Sequence, residues 1–539
     1  MHKRVIATYS ILMSFVMGIF FRVFYISQNN DLAMVSNNQS SCSLDVYTKR
    51  APIYDCNLKL LVNTEDSYIA SFIPSPDTLS AIMDYIPKEK KESILSQIKN
   101  NKPILVPVTD PRIYHDEIKI INIKKRYSDN QLAPHIIGYL DDHKNGICGI
   151  EKSFNNFLKS NSSQVKIKYP TDALHHSYDR SPPVIEDDSV YNNQGIVLTI
   201  DRNIQAIIEE AAISITKGAI VVMDTQDGEI KAIASIPKYN PNNISDFLNH
   251  PDSPMINRAF SEFSVGSLFK IIIAAAALEA DYNKYIKFHS TCVGCKQVSN
   301  HIFNCHFKPG HGTINMKRAL EISCNPYFIE LALNTGPINA LEICKGLNFG
   351  KADNIVANMK TASGYLTDKK DLTTSADISN FSFGQGKLTT TPIQIAKMIS
   401  MIANDGYSVT PKLFKGISDK DGKYIQKEEK SFCQSRIISS QSASAVKNML
   451  ISVVDNGSGK NSKPTFGGAG GKTSSAQTGR YFKGNPEEEI VQAWFAGFFP
   501  IDTPKYVIVV LVEEGNSGSD IAAPVFKRIA NKINNLLFP

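Results

Sequence analysis

Ser267 and Lys270 have the residue types and the spacing of a nucleophile and its base. Residues three positions apart are neighbours on one face of a helix. Lys270 also opens an apolar run that continues to Ala280 and predicts a buried helix. A lysine in such surroundings loses much of its preference for the charged form, so it can accept the proton of a serine hydroxyl. The pair therefore predicts nucleophilic catalysis by Ser267.

Ser-x-x-Lys is frequent in this chain, so the surroundings have to separate the pairs. Gly266 allows a sharp turn directly before Ser267. In contrast, Pro237 lies between Ser235 and Lys238 and disfavours a helical pair. The remaining pairs lie in polar, lysine-rich segments or at predicted helix ends, and we interpret them as surface groups: Ser96/Lys99, Ser163/Lys166, Ser214/Lys217 and Ser444/Lys447.

Two further motifs carry groups that could complete a site around Ser267. Ser323 and Asn325 stand two positions apart just before an apolar helical run, so a hydroxyl and an amide can face one cleft. Lys472 and Thr473 follow a glycine-rich segment and precede a predicted strand pair. A cation and a hydroxyl on an edge strand suit a substrate that bears a carboxylate. Similar pairs without a neighbouring helix or strand are interpreted as accidental: Ser128/Asn130 and Lys360/Thr361.

The apolar patterns around these motifs predict the elements that must position them. The turn Asp227-Gly228 joins two β-rich runs and predicts a hairpin. The predicted strands are 67–73, 104–108, 218–224, 229–234, 491–499 and 506–512, and the predicted helices are 270–280 and 524–537. From about residue 195 onward we therefore predict a mixed α/β domain with an antiparallel sheet.

The composition excludes several classes of protein. The chain has 539 residues, of which 42% are hydrophobic and 20% charged, and it has 31 Gly and 26 Pro. This is ordinary globular usage, which excludes a disordered chain, a collagen-like chain and a protein with many membrane spans. The formal charge of +6 is spread along the chain without a Lys/Arg-rich run. We therefore expect no nucleic-acid partner.

The N-terminus has the pattern of a membrane anchor. Residues 5–26 carry no charge apart from Arg22 and are mostly apolar, and Lys3 and Arg4 precede them. About 20 apolar residues span a bilayer as a helix, and a basic flank favours the cytoplasmic side. We predict an anchor at residues 1–28 with the N-terminus in the cytoplasm. A cleaved signal peptide is the alternative, although no small-x-small cleavage site follows.

The motifs together resemble those of class B, monofunctional penicillin-binding proteins. They stand in the family order as Ser267-Leu268-Phe269-Lys270, Ser323-Cys324-Asn325 and Lys472-Thr473-Ser474. The resemblance covers nearly the whole chain, because flanking segments agree as well. These segments include Arg50 to Asp55, Gly149 to Glu151, Phe383 to Gly386, Thr391 to Gln394 and Ala493 to Phe498.

The resemblance implies a reaction and a role for the first two motifs. Ser267 would attack the penultimate D-Ala carbonyl of a peptidoglycan stem peptide, with Lys270 as the base. Ser323 and Asn325 would relay a proton and hold the substrate backbone. Acyl transfer to a second stem peptide would form the cross-link, β-lactams would trap the acyl-enzyme, and no metal or organic cofactor would be needed.

The third motif would bind the substrate. The resemblance implies that Lys472 and Thr473 position the terminal carboxylate and that Lys472 lowers the pKa of Lys270 by like charge. The backbone N–H groups of Ser267 and Ser475 would form the oxyanion hole. Ser474 stands where the family usually has Gly, so its side chain is expected either to crowd the substrate or to point away from it.

The resemblance also implies an α+β architecture in three parts and a location. These parts are the anchor at 1–28, a pedestal or dimerisation domain with its linker at 29–190, and a β-lactamase-like transpeptidase domain at 195–539. The catalytic domain would lie outside the plasma membrane of a bacterium, beside a polytopic glycan-polymerising membrane partner. Three other departures from the family pattern are Val265 for Pro, Ala51 for Gly and Cys56 for Arg.

The cysteines between the first two motifs leave two interpretations open. Cys292-Val293-Gly294-Cys295 followed by Cys305-His306, with His301 and His311 nearby, has a spacing that can bind zinc. Outside a membrane a disulfide competes with this interpretation. Related penicillin-binding proteins often have a Cys pair at the positions of Cys292 and Cys305. The resemblance therefore favours a bond between these two, or free thiols in a reducing habitat, and no metal.

Two other functions are compatible with the same motifs. A β-lactamase or β-lactam sensor shares the fold, but the former would be smaller and the latter would need further membrane helices. A catalytically weak or inactive scaffold of the cell-wall machinery is the second alternative, and Ser474 in the third motif keeps it open.

Overall fold

The computed structural model describes residues 2–28, 41–92, 94, 102–170, 183–188, 193–427, 435–482 and 485–537. Its helices are α1 His2–Gln28, α2 Pro76–Ile82, α3 Pro134–Ile137, α4 Gly149–Ser153, α5 Asn155–Ser160, α6 Arg202–Ala212, α7 Lys270–Ala280, α8 Tyr282–Tyr285, α9 Met316–Glu321, α10 Asn325–Thr335, α11 Ile338–Gly346, α12 Ser375–Ser382, α13 Pro392–Ala403, α14 Ser440–Asn456 and α15 Ala523–Leu537. Its strands are β1 Ser41–Lys49, β2 Ile53–Tyr54, β3 Glu65–Phe72, β4 Ile104–Val108, β5 Lys119–Lys125, β6 Ser163–Pro170, β7 Val184–Asp187, β8 Ile196–Leu198, β9 Gly218–Asp224, β10 Ile230–Ile236, β11 Phe263–Ser264, β12 His289–Cys292, β13 Cys295–Val298, β14 His301–Asn304, β15 Gly312–Asn315, β16 Asn354–Val356, β17 Met359–Lys360, β18 Thr389–Thr390, β19 Phe414–Ser418, β20 Tyr424–Lys427, β21 Gly470–Phe482, β22 Asn485–Phe499 and β23 Tyr506–Val512.

The chain forms two compact units that interleave along the sequence. The smaller unit takes Met1–Ala51, Asn63–Arg126 and Asn161–Asn193, and the larger takes Pro52–Val62, Tyr127–Ser160 and Gln194–Pro539. Two segments from within the predicted pedestal range therefore belong to the larger unit. The division into functional domains at residues 29–190 and 195–539 stays a prediction. The polar, turn-rich sequence at residues 171–193 predicts a linker, and most of these residues lie outside the part of the chain that the structure describes.

The smaller unit contains the predicted anchor and two three-stranded sheets. Helix α1 has a mean hydropathy of 1.8 over its most apolar window and none of its residues is buried, and among the described helices it alone is long and apolar enough to cross a membrane. The sheets have the orders β1-β6-β7 and β4-β3-β5. Strands β3 and β4 confirm the strands predicted at 67–73 and 104–108, with shifts of a residue or two in β3.

The larger unit is built on a five-stranded antiparallel sheet of order β10-β9-β23-β22-β21. All seven residues of β23 are buried, because helices cover both faces of the sheet. Alternate residues of the strands pack with α6 and α15 on one face, where Phe495 and Phe526 meet at 4.7 Å between ring centroids. Helix α13 packs against β9 and β23. The predicted hairpin and the central strand pair are confirmed.

Helix α7 lies at the centre of the larger unit. Its first nine residues, Lys270 to Leu278, are all buried, including the lysine. A helix that is apolar on every side is stable only when other elements surround it, and α10, α11 and α14 pack around α7. The helix predicted at 270–280 is thus confirmed with the same bounds. Because Lys270 begins this helix, the fold places an amine inside an apolar core.

Candidate functional site

Ser267 lies in a single 3₁₀ turn, Gly266–Phe269, that leads into α7. Gly266 has φ +56°, and a Cβ at this position would lie 2.5 Å from the Ser474 Oγ. Only glycine fits such a turn without strain. Ser267 is half-buried and Lys270, one turn later, is fully buried. The turn therefore presents a reachable hydroxyl above a desolvated amine.

Lys270 connects the first motif with the second. Its Nζ donates to the Ser323 carbonyl at 2.7 Å, to the Ser323 Oγ at 3.2 Å and to the Asn325 Oδ1 at 2.6 Å. Burial lowers the pKa of Lys270 to about 7. A sizeable share of this amine is then neutral near pH 7 and can accept a proton, which an exposed lysine cannot do.

Ser323 and Asn325 reach Lys270 because the chain turns sharply between α9 and α10. Ser323 has φ +55°, in the left-handed region that non-glycine residues rarely adopt. Asn325 opens α10, and Pro326 follows in its first turn. Backbone strain of this kind persists where surrounding contacts hold it, and it concentrates at functional sites.

Lys472 and Thr473 lie side by side on β21, the edge strand of the sheet. The Lys472 Nζ is buried and donates to the Thr473 carbonyl at 3.0 Å, and the Thr473 Oγ1 donates to the Ser458 Oγ at 2.9 Å. Burial first, and repulsion by Lys270 second, hold the pKa of Lys472 well below its ordinary value. The expected like-charge effect thus acts on Lys472, whereas the pKa of Lys270 is lowered by burial.

Ser474 and Ser475 point to different surroundings. Ser474 is buried and its Oγ donates to the Val265 carbonyl at 2.9 Å. Ser475 is exposed and its Oγ accepts a hydrogen bond from the Gly518 N–H at 3.2 Å. The Ser474 side chain is expected either to crowd the substrate or to point away from it. In the structure it points into the protein interior, against the turn that carries Ser267.

Four potential metal ligands gather next to the second motif. The ligand atoms of Cys292, Cys305, His311 and Cys324 all lie within 4.8 Å of one another, and the Cys305 Sγ is 3.5 Å from the His311 Nδ1. The hydrogen bond from Cys324 lowers the pKa of Cys305. Three cysteines and one histidine form a donor set that can bind zinc, so these four residues are the ones that could hold a metal, and the expectation of no metal stays a prediction. Cys324 lies outside the cysteine and histidine spacing that can bind zinc, and the fold brings it into the cluster.

The predicted bond between Cys292 and Cys305 is not formed in the structure, where both residues are free thiols. Their closeness is compatible with either redox state, so the disulfide stays a prediction. Cys295, the other half of the C-x-x-C pattern, lies outside the cluster.

The other Ser-x-x-Lys pairs in the larger unit are engaged elsewhere. Lys217 forms ion pairs with Asp252 and Glu514, and Lys238 pairs with Glu209. The contacts of Lys217 agree with the interpretation of its pair as surface groups. Ser235 and Lys238 are the pair that Pro237 separates. Sequence reasoning missed Ser458, the partner of Thr473. Its place between Gly457 and Gly459, directly after α14, was a signal for a turn.

Comparison with known proteins identifies the family. Residues 218–531 match the penicillin binding protein transpeptidase domain. Stage V sporulation protein D of Bacillus subtilis is 28% identical over 440 residues, which cover 77% of this chain but 65% of that protein. Peptidoglycan D,D-transpeptidase MrdA of Haemophilus influenzae is 26% identical over 467 residues, covering 77% of this chain and 70% of the relative.

Solved structures share the fold. The complex between penicillin-binding protein PBP2 and MreC from Helicobacter pylori contains a chain with a TM-score of 0.66 and 21% identity, covering 93% of this chain and 99% of that one. Penicillin binding protein 3 of Mycobacterium tuberculosis, solved with aztreonam, has a TM-score of 0.64 and 21% identity, covering 92% and 98%. The chain belongs to the penicillin-binding protein transpeptidase family, in its class B branch.

Proposed function

We propose that this protein is a membrane-anchored serine D,D-transpeptidase that cross-links peptidoglycan stem peptides through an acyl-enzyme on Ser267. The observation that carries the proposal is the buried amine of Lys270, one turn from Ser267 and within hydrogen-bond distance of Ser323 and Asn325. The names of relatives such as the Haemophilus influenzae D,D-transpeptidase support the reaction class.

The first half of the reaction forms the acyl-enzyme. The Ser267 Oγ attacks the carbonyl of the penultimate D-Ala while its proton moves to the neutral Lys270 Nζ. The tetrahedral intermediate then collapses, and the bond between carbonyl carbon and nitrogen breaks. Lys270 returns the proton through the Ser323 hydroxyl to the departing amine, and terminal D-Ala leaves.

The second half transfers the acyl group. The amine of a second stem peptide attacks the ester carbonyl, loses its proton to Lys270 and displaces the Ser267 oxygen, which is reprotonated. The product is a new amide bond, and the enzyme returns to its starting state. Two N–H groups, those of Ser267 and Ser475, stabilise the oxyanion in both halves, and losing one such donor typically costs about 10²–10³ in rate.

The third motif recognises the substrate by its terminal carboxylate. Lys472 is buried with a depressed pKa, so a bound carboxylate restores its positive charge and gains a charge-assisted hydrogen bond. Thr473 adds a hydroxyl that Ser458 orients. β-Lactams carry an anionic group and a strained amide in the same arrangement, and we propose that they acylate Ser267.

Purified full-length protein in detergent tests this function. A stem-peptide thioester ending in the penultimate D-Ala serves as donor and a D-amino acid as acceptor, and mass spectrometry detects the exchange product. We expect product from the wild type and none from Ser267→Ala. Ser400→Ala, which removes a buried hydroxyl that donates to the Thr225 carbonyl, is the matched control and should keep activity. An inactive wild type would favour the scaffold function. Rapid hydrolysis of penicillin by the wild type would favour a β-lactamase.

The location is a separate part of the proposal. Helix α1 would hold the chain in the membrane with its basic tip in the cytoplasm, and a polytopic glycan-polymerising protein would lie beside it. Protease added to intact spheroplasts should then digest residues 41–537. Protection of this part would contradict the orientation.

A further inference from the structure

Two departures from the family pattern contact each other in the folded chain. Ser474, where Gly is usual, donates its hydroxyl proton to the carbonyl of Val265, where Pro is usual, at a distance of 2.9 Å. Both residues are buried, and 209 positions separate them. The hydroxyl therefore joins the third-motif strand to the last residue before Gly266 and Ser267.

Strand β22, which pairs with β21, holds Ser264, the residue before Val265. Trp494 lies opposite Ser474 across the β21–β22 ladder, and its Nε1 donates to the Ser264 carbonyl at 3.0 Å. The Gln492 Oε1 accepts a hydrogen bond from the Ser264 N–H at 2.8 Å. The sheet thus fixes Ser264 through two side chains of β22, and Ser474 of β21 fixes the next carbonyl along the chain.

The backbone at position 265 depends more on such a contact with valine there than it would with proline. A proline ring locks φ near −65°, whereas a valine backbone is held only by its surroundings. Val265 has φ −91° and ψ −35°, and Gly266 after it has φ +56°. Glycine has the greatest backbone freedom of any residue, so contacts have to hold this pair in place directly before the nucleophile. One such contact is the hydrogen bond from the Gly266 N–H to the Gly384 carbonyl at 3.1 Å.

We infer that Ser474 is a positioning residue for Ser267, and that its hydrogen bond to Val265 replaces the constraint of a proline ring. The inference rests on the proposed function. The bond fixes the Ser267 turn relative to β21, the strand that also carries Lys472 and Ser475. It therefore sets the distance between the nucleophile and the groups that bind the carboxylate and the oxyanion.

A crowding role for Ser474 gives the opposite expectation, so one substitution separates the two. If the Ser474 side chain obstructed the substrate, Ser474→Gly would speed acylation. If its hydroxyl positions Ser267, the same change slows acylation although it restores the family's usual residue. Small displacements of reacting groups cost one to two orders of magnitude in rate. We therefore expect a loss of about tenfold.

The experiment measures acylation of full-length protein by fluorescent penicillin, separating initial binding from the acylation step, together with the thermal midpoint. Ser474→Gly and Ser474→Ala should slow the acylation step about tenfold with little change in initial binding. Ser474→Thr, which keeps the hydroxyl, should stay near wild type. Ser400→Ala, which loses an equally buried bond from a serine to a carbonyl, should not slow acylation.

A double-mutant cycle tests the replacement of the ring. Val265→Pro should restore most of the acylation rate to Ser474→Gly while changing the wild type little. If Val265→Pro does not fold, the comparison of Ser474→Thr with Ser474→Ala decides.

Each contrary outcome has a distinct meaning. A labelled wild type with an equal or faster Ser474→Gly overturns this inference alone, as does a rate loss that merely follows the unfolded fraction. A wild type that penicillin does not label overturns both this inference and the proposed function.

Discussion

The Asn325 Oδ1 accepts a hydrogen bond from the Lys270 Nζ at 2.6 Å, although 55 positions separate the two residues. The acceptor is a neutral amide, so it orients the amine without supplying the opposite charge that would keep it protonated. Burial can then lower the pKa of Lys270 to about 7. The amine proposed as the base thus lies within hydrogen-bond distance of Ser323 and Asn325 before any substrate binds.

Acylation should depend on pH through Lys270. In the proposed mechanism the neutral amine acts as the base. Because burial lowers the pKa of Lys270 to about 7, the rate should rise as pH increases through 7 and level off above it. Lys270→Arg, which stays protonated, should lose about 10²–10⁴ in rate at every pH. Lys345→Arg on the exposed surface should leave the profile unchanged. A rate that stays constant from about one pH unit below this pKa to about two units above it would contradict this role.

Asn325→Asp should move that profile to higher pH. A carboxylate beside the Nζ favours the charged amine and raises its pKa by about one to three units. The rate at pH 7 should therefore fall and recover partly in alkaline buffer. Asn334→Asp, near the opposite end of α10, is the control and should not shift the profile. An unshifted profile in Asn325→Asp would show that Asn325 does not contact the base.

The cluster of Cys292, Cys305, His311 and Cys324 should bind a metal ion when it is reduced and release it when it is oxidised. We expect the reduced protein to take up one zinc ion per chain, measured by metal analysis, and to lose thermal stability when a chelator removes it. Cys324→Ser should prevent uptake, whereas Cys295→Ser, outside the cluster, should not. Oxidation should release the metal and join Cys292 to Cys305, seen by peptide mapping. Zinc uptake that is unaffected by Cys324→Ser would contradict the cluster as the binding site.

A buried ion pair should matter for stability more than an exposed one. The Lys397 Nζ and the Asp353 Oδ1 are 2.7 Å apart, and both side chains are almost inaccessible. Lys397→Ala removes the cation from a buried carboxylate that keeps its hydrogen bond from the Asn348 amide, and it should lower the free energy of unfolding by about 3–5 kcal/mol. Lys345→Ala, which breaks the exposed pair with Glu342, should cost about 0–1 kcal/mol. Denaturant unfolding measures the free energy of unfolding of both variants. Equal losses in the two would contradict the claim that the buried pair matters more for stability than the exposed one.

Sequence patterns predicted the elements whose periodicity is local. Helix α7 and strands β9 and β23 follow continuous apolar runs with clear turn residues beside them, so their bounds were readable. Strand β22 begins at Asn485, before the predicted start at 491, because its first residues are polar, and the polar sequence of β21 gave no strand bounds. The three motifs were readable too, because each lies within four residues. Contacts between separate segments of the chain could not be predicted from the sequence, because they depend on how the sheet and the helices pack. Ser474 with Val265, Thr473 with Ser458 and Cys305 with Cys324 are such contacts.

Intact mass spectrometry after incubation with a β-lactam tests the central claim most directly. The wild type should gain the mass of one β-lactam per chain, mapped by peptide analysis to Ser267, and Ser267→Ala should gain none. A modified Ser267→Ala, or a wild type that stays unmodified without consuming the β-lactam, would contradict an acyl-enzyme on Ser267.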